Sequence, residues 1–287
     1  MKLVTFLLSL LLCYTAQAQE LPAYKVFTKD GQPADFGQIV KEALQADVIL
    51  FGELHNNAVV HWLQLKLSQA LIEQRPNLVF GAEMFETDNQ LILDEFLSGS
   101  ITQAQMETEA KMWNNFKTDY KPLIDLAKKH NRPFIATNIP RRYASMVNRG
   151  GLEALQSIDE RGKEFIAPLP FDVDLSLPGY KWMVETMGAH GQGNPNNIAL
   201  AQASKDATMA HFILQNMEDG QGFIHYHGTF HSNNFEGIYW YLMKANPNLK
   251  ILTIASAEQA QIDNLEEKNL NLANYILLLP LDSPKTY

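Results

Sequence analysis

Six short apolar runs set the architecture that this chain can take. They are VILFGELH from Val48, LVFGAEMFE from Leu78, PFIATNIPRR from Pro133, GFIHYHGTFH from Gly222, KILTIAS from Lys250 and NYILLLP from Asn274. Each is nearly continuous rather than alternating, and partly β-branched or aromatic. Strands covered on both faces in a parallel sheet read this way. Helical spacings separate several of them: Trp62, Leu63, Ala70 and Leu71 before the second run, then Trp113, Phe116 and Tyr120 before the third. Strand and helix in alternation predict an α/β fold, with a mainly parallel sheet flanked by helices and right-handed crossovers.

Between Arg141 and Asn216 the texture changes. SLPGYKWMVETMGAHGQGNPNN has no strand signal and is rich in Met and Gly, and ALAQASKDATMAHFILQNM after it is helical. Residues 141–216 therefore read as a small, mainly helical inserted subdomain, with 19–140 and 217–287 forming the α/β domain. Loops of such an insert are candidates for a lid or a partner surface.

The first 18 residues read as an export signal. Lys2 supplies the positive start, Val4 to Cys13 is an apolar stretch too short to span a bilayer, and AQA at 16–18 is a small-x-small cleavage site. Cys13 is the sole cysteine. Its context LLLC suggests lipid attachment, but the residue before it is Leu12, where a small residue is the norm. The expectation is therefore a periplasmic protein cut after Ala18, with lipoprotein attachment as the weaker alternative. Such a mature chain has no thiol, which removes disulfides and cysteine nucleophiles. A net charge of −9 argues against nucleic acid or an anionic membrane surface as the main partner.

Polar residues gather where the apolar runs stop. The first ends in Glu53 and His55, the second in Glu83 and Glu86, the third in Asn138, Pro140 and Arg141, and the fourth in His225, His227 and His231. Ligands of open parallel sheets bind beyond the carboxyl ends of the strands. These ends thus predict one rim carrying acids, imidazoles, an amide and a guanidinium. Glu83 closing so apolar a strand is costly unless paired or ligating, whereas Glu86 reads as a solvated acid at a helix start. His225 and His227 share one strand face, and His225 also fits a hydrogen-bonded core position. His61 and His211 sit on helices and read as structural. Asp206, one helical turn after Gln202, points either to the rim or to water.

Several common sites are missing. The chain has no G-x-S-x-G, no H-E-x-x-H and no G-x-G-x-x-G opening a helix after a strand. GAHGQG at 188–193 lacks the preceding strand that a nucleotide site needs.

Taken in order, ILFGELHNN, GAEMFETDNQ, IATNIPRR, QASKDATMAH and HGTFH resemble the motifs of the ChaN-like haem-binding uptake family. That family belongs to the Tiki superfamily and is related to erythromycin esterase-like proteins. Its early G-E-x-H maps onto Gly52, Glu53 and His55, and its late G-x-x-H onto Gly228 and His231. The resemblance implies a parallel sheet with a small helical domain, ferric haem bound at a surface with a homodimer partner, and a role in iron uptake with an outer-membrane component. It implies a tyrosine as iron ligand; Tyr180 and Tyr143 are the candidates, and Tyr120 reads as core. Trp182, Met183 and Met187 would supply apolar surface, and Lys181 or Arg142 a cation for the propionates. The rival expectation is a metal-dependent hydrolase, protease or esterase. There Glu53, His55, Glu83 and His231 hold one divalent ion, and Asn138 and Arg141 complete the catalytic set.

Overall fold

The computed structural model describes residues 21–187, 194–218 and 220–287. The expected export signal with Cys13, and the GAHGQG run, lie outside the described residues. The chain runs β1 (Lys25–Thr28), β2 (Pro33–Ala34), α1 (Phe36–Ala43), β3 (Val48–Glu53), α2 (Ala58–Gln74), β4 (Val79–Glu86), α3 (Gln90–Ser98), α4 (Gln103–Glu109), α5 (Lys121–Lys129) and β5 (Phe134–Asn138). It continues through α6 (Arg141–Gly150), α7 (Glu160–Lys163), α8 (Pro178–Thr186), α9 (Asn197–Gln215), β6 (Phe223–Gly228), α10 (Ile238–Ala245), β7 (Ile251–Gln259) and β8 (Tyr275–Pro280).

The eight strands of the described residues join one sheet in the order β2-β1-β8-β7-β3-β6-β4-β5. The six apolar runs are β3 to β8, and every pairing among them is parallel. β1 adds antiparallel to β8 and carries β2 as a hairpin partner. That hairpin extends the expected sheet by one edge. Its turn passes through Asp30 and Gly31, the latter at φ 77°, a conformation glycine adopts without a Cβ clash.

Successive side chains of β3 divide the core. Ile49 and Phe51 join Leu63 and Leu67 of α2 and Leu123 of α5 on one face. Val48 and Leu50 meet Met209 and Ile213 of α9 and Leu242 of α10 on the other. All of these side chains are at most 1% exposed, and each contributes about 1.5–3 kcal/mol by leaving water. Burial on both faces explains why the strand sequences do not alternate.

Among the described residues from α6 to α9 the regular elements are helices, but the sheet claims part of that segment. The C-terminal half of α9 packs on the sheet and completes the crossover from β5 to β6. Its N-terminal half supports α6 through Ala201 and α8 through Ala199 and Ala203. A boundary at 141–216 therefore cuts through a layer of the α/β core.

Candidate functional site

The central strands deliver their polar ends to one rim. β3 and β6 run in register, pairing Gly52 with His227 and Glu53 with Gly228. Beyond them lies a pocket of about 720 Å³, within the usual range for small-ligand sites. Glu53, His55, Glu83, Gly228 and His231 form its floor; Asn138, Arg141, Gln202 and Lys205 line its walls; Trp182, Met183, Met187 and Phe230 give it an apolar mouth.

The floor is built from two acid–imidazole units. In the first, His55 Nδ1 lies 2.9 Å from Glu53 Oε1. Glu53 also accepts from the Tyr120 hydroxyl at 2.7 Å and the Gln64 amide at 2.6 Å. Burial opposes a charge on Glu53, but His61, together with the His55 and Gln64 bonds, outweighs it and holds the carboxyl below its usual range. For His55 burial works against the imidazolium, and the Glu53 bond and charge, with Glu83 beyond, raise its pKa instead.

The second unit is a hydrogen-bonded chain that rises from beneath the pocket into its floor. The Tyr180 hydroxyl donates to Asp206 Oδ2 at 2.7 Å, and Asp206 Oδ1 holds His231 Nδ1. His231 Nε2 meets Glu83 Oε1 at 3.1 Å, and Glu83 Oε2 accepts the Gly228 amide at 2.8 Å. Burial disfavours a charged His231, yet the carboxylates of Glu83 and Asp206 outweigh it and push its pKa up to about 9. Glu83 pays the same burial penalty, which His231, His55 and the Gly228 amide overcome, so its carboxyl titrates far below the ordinary value.

His225 and His227 behave differently. They stack with ring centroids 5.1 Å apart, and their Nδ1 atoms share a hydrogen bond at 3.0 Å. Thr137 bonds His225 at 2.7 Å and Ser232 bonds His227 at 2.8 Å. Burial lowers both pKa values, helped by His227 in the case of His225 and by His231 in the case of His227, which falls to about 3. Both are neutral core residues beneath the floor.

The rim thus collects Glu53, His55, Glu83, Asn138, Arg141 and His231 in one pocket lining, with its acids and imidazoles bonded to one another. Among the described residues no group of three His, Cys, Asp or Glu side chains is placed to hold a metal ion. The donor atoms face one another instead. His231 spends both nitrogens on acids, and His55 Nδ1 is spent on Glu53. Glu86 is not a solvated acid: it is 8% exposed, with Lys111 at 3.1 Å and Arg141 Nε at 3.9 Å.

The expected phenols also need correction. Tyr180 is 3% exposed and outside the pocket lining; burial and Asp206 raise its pKa, so it stays protonated. Tyr143 lies under the Arg142 guanidinium, 4.4 Å from the ring centroid, with its hydroxyl turned to Gly162. Arg142 pairs with Asp88, and Lys181 turns to Glu185 at 3.9 Å. Trp182 and Met183 do line the pocket.

Lys205, Phe230 and Tyr287 are among the lining residues that the sequence reading did not single out. Lys205 follows Gln202 on α9, a spacing that marks a shared helix face. Phe230 sits inside HGTFH. Tyr287 has no local signal; it reaches the mouth because the tail is tied to the His55 loop. Thr286 N donates to Asn56 O at 2.8 Å, Ala58 N to Pro284 O at 3.2 Å, and the Thr286 hydroxyl to Asp119 at 2.7 Å.

Similar folds are known. ChaN of Campylobacter jejuni, solved with cofacially bound haem, is 17% identical, with a TM-score of 0.63 over 89% of this chain and 96% of that one. A Bacillus cereus protein is 11% identical with a TM-score of 0.54, covering 92% of this chain and 96% of its own. A protein named for succinoglycan biosynthesis is 10% identical with a TM-score of 0.54, covering 92% and 95%. At these identities the likeness is one of fold. No curated protein sequence matches the chain. The family model for haem-binding uptake proteins of the Tiki superfamily, ChaN, matches residues 39–242, from α1 through β6 into α10, and the chain belongs to that family.

Proposed function

We propose that this protein binds haem at the mouth of the rim pocket and serves haem or iron uptake after export. The observation that carries the reading is a shelf of exposed apolar side chains at that mouth. Trp182 is 51% exposed, Met187 43% and Phe230 36%, and the Trp182 and Phe230 rings lie 6.0 Å apart. Large apolar groups gathered in water at one cavity mark a ligand surface.

The remaining donors suit the same ligand. Arg141 and Lys205 line the adjacent wall and match propionate carboxylates in charge. When bound, haem supplies a ferric centre that favours an anionic oxygen ligand; among the lining residues the phenol is that of Tyr287. An open mouth leaves one face of a flat ligand uncovered, which a second copy of the chain would close. An outer-membrane uptake component is the delivery partner in this reading.

Haemin titration of the purified protein tests the function. A saturable Soret band at one haem per chain supports it, and no spectral change overturns it. Export is tested separately by mass spectrometry. A mature chain starting at Gln19 supports cleavage after Ala18, and a diacylated Cys13 overturns it.

A further inference from the structure

One side of the pocket mouth is formed by Tyr287, which sits on a segment tied down by polar bonds. We propose that Ser283–Tyr287 is a reversible strap that clamps the pocket's ligand, with Asp119 as the buried residue that positions it. The proposal rests on the reading that the pocket takes haem.

The strap lies along the loop that carries His55. Lys285 bridges Asn57 in antiparallel fashion, with Thr286 N donating to Asn56 O at 2.8 Å and Ala58 N to Pro284 O at 3.2 Å. The Asn57 side chain serves helix and strap together. Its Oδ1 caps α2, accepting from Val59 N at 3.1 Å and Val60 N at 3.2 Å. Its Nδ2 donates to Ser283 Oγ at 2.7 Å. Glu258, near the end of β7, accepts from Asn57 Nδ2 at 3.0 Å and Ser283 Oγ at 3.3 Å, and pairs with Lys285.

Asp119 joins the strap to the pocket wall. It is 3% exposed, and its Oδ2 accepts from the Thr286 hydroxyl at 2.7 Å and Asn115 Nδ2 at 2.6 Å, with His61 Nε2 3.5 Å away. Asn115 Nδ2 and His61 Nε2 also reach the His55 carbonyl, at 2.8 and 3.0 Å. A buried carboxylate needs its donors in place. Asp119 therefore fixes the strap and the backbone of the His55 loop as one unit.

The strap can open because little apolar surface holds it. Pro284, Lys285 and Tyr287 are exposed, so undocking exchanges hydrogen bonds that water can replace, the usual condition for local opening. Docking gives Tyr287 its position. With Trp113 and Arg141 it lines both the main pocket and a neighbouring cleft of about 250 Å³, so these side chains divide the two spaces. An undocked strap breaches that wall. A ligand that touches Tyr287 binds the docked state better, and ligand and strap then stabilise each other.

Hydrogen exchange of the Thr286 and Ala58 amides, followed by NMR on the full chain, reads the strap directly. Haemin at about 100 times its Kd should slow both amides at least about tenfold, inside the roughly hundredfold limit set by linkage. Thr286→Val removes the hydroxyl bound to Asp119. Without ligand it should speed both amides, and it should release haemin at least about tenfold faster with association unchanged. Thr286→Ser keeps the hydroxyl and should restore both properties. Tyr287→Ala should also release haemin faster, yet leave exchange in the ligand-free protein as in the wild type; it carries the release test if Thr286→Val does not fold. Wild-type exchange that bound haemin does not slow, or folded variants that release haemin at the wild-type rate, overturn the clamp while the haem reading stands. A wild-type chain that gives no Soret band overturns the haem reading and the clamp with it.

Discussion

Tyr180 donates its hydroxyl to Asp206 Oδ2 at 2.7 Å, while Asp206 Oδ1 holds His231. The phenol therefore belongs to the framework beneath the pocket. Tyr180→Phe is expected to leave haemin affinity within about twofold. It should destabilise the protein by about 1.5–3 kcal/mol, the range for a buried hydrogen bond to a charged group, read from denaturant unfolding. A tenfold loss of haemin affinity in a folded variant would restore Tyr180 as a ligand.

Trp182 is the largest side chain of the exposed shelf, standing over Phe230. Trp182→Ala should weaken haemin binding at least about tenfold, or about 1.4 kcal/mol. Because Trp182 is 51% exposed, its thermal midpoint should barely move. Unchanged affinity in the haemin titration would place haem elsewhere.

Gly52 brings β3 against the turn that carries His231. A Cβ at this position would lie 2.7 Å from Thr229 Cα and 3.1 Å from the Ile254 carbonyl. Both neighbours are backbone, so neither can turn aside. Gly52→Ala is expected to cost about 1–3 kcal/mol and to disturb the floor, visible as altered His55 and His231 resonances in NMR spectra.

The floor also sets a pH profile. His231 has its folded pKa raised from 6.5 to about 9, so its stabilisation is complete below 6.5 and is lost as pH rises through about 9. Glu53 and Glu83 are lowered from 4.5, so theirs is present above 4.5 and is lost as pH falls below it. Thermal melts should show a plateau between these limits and a decline on either side. His231→Gln should remove much of the alkaline decline; an unchanged alkaline limb would show that the imidazolium does not stabilise the fold.

Residues that must be buried on both sheet faces announce themselves, which is why β3 to β8 are legible in the sequence. β1 and β2 are not, because four residues and two residues are too short for a pattern to rise above composition. Glu53, His55, Glu83 and His231 are legible as a rim because topology alone sends parallel strand ends to one side. Their bonding is not legible. Whether two acids and two imidazoles surround an ion or pair with each other depends on Asp206, which reaches His231 from α9, and on Tyr120, which reaches Glu53 from the Phe116–Tyr120 turn. Tyr180, Trp182 and Met183 form one run in sequence, yet the helix buries the first and exposes the second.

The parallel sheet also fixes when the pocket can exist. Glu83 and the Gly228 amide it accepts from are 145 positions apart, and β3 must receive both β6 and β7 as neighbours before its far end is held. Contacts so distant along the chain close late, because the entropy of the intervening loop is lost before they repay it. The floor is thus assembled only once nearly the whole chain has been gathered. A half-folded molecule would present the apolar surface of α2 or α9 without the acids and imidazoles that distinguish a ligand from any other greasy solute, so selective capture begins only when folding is finished.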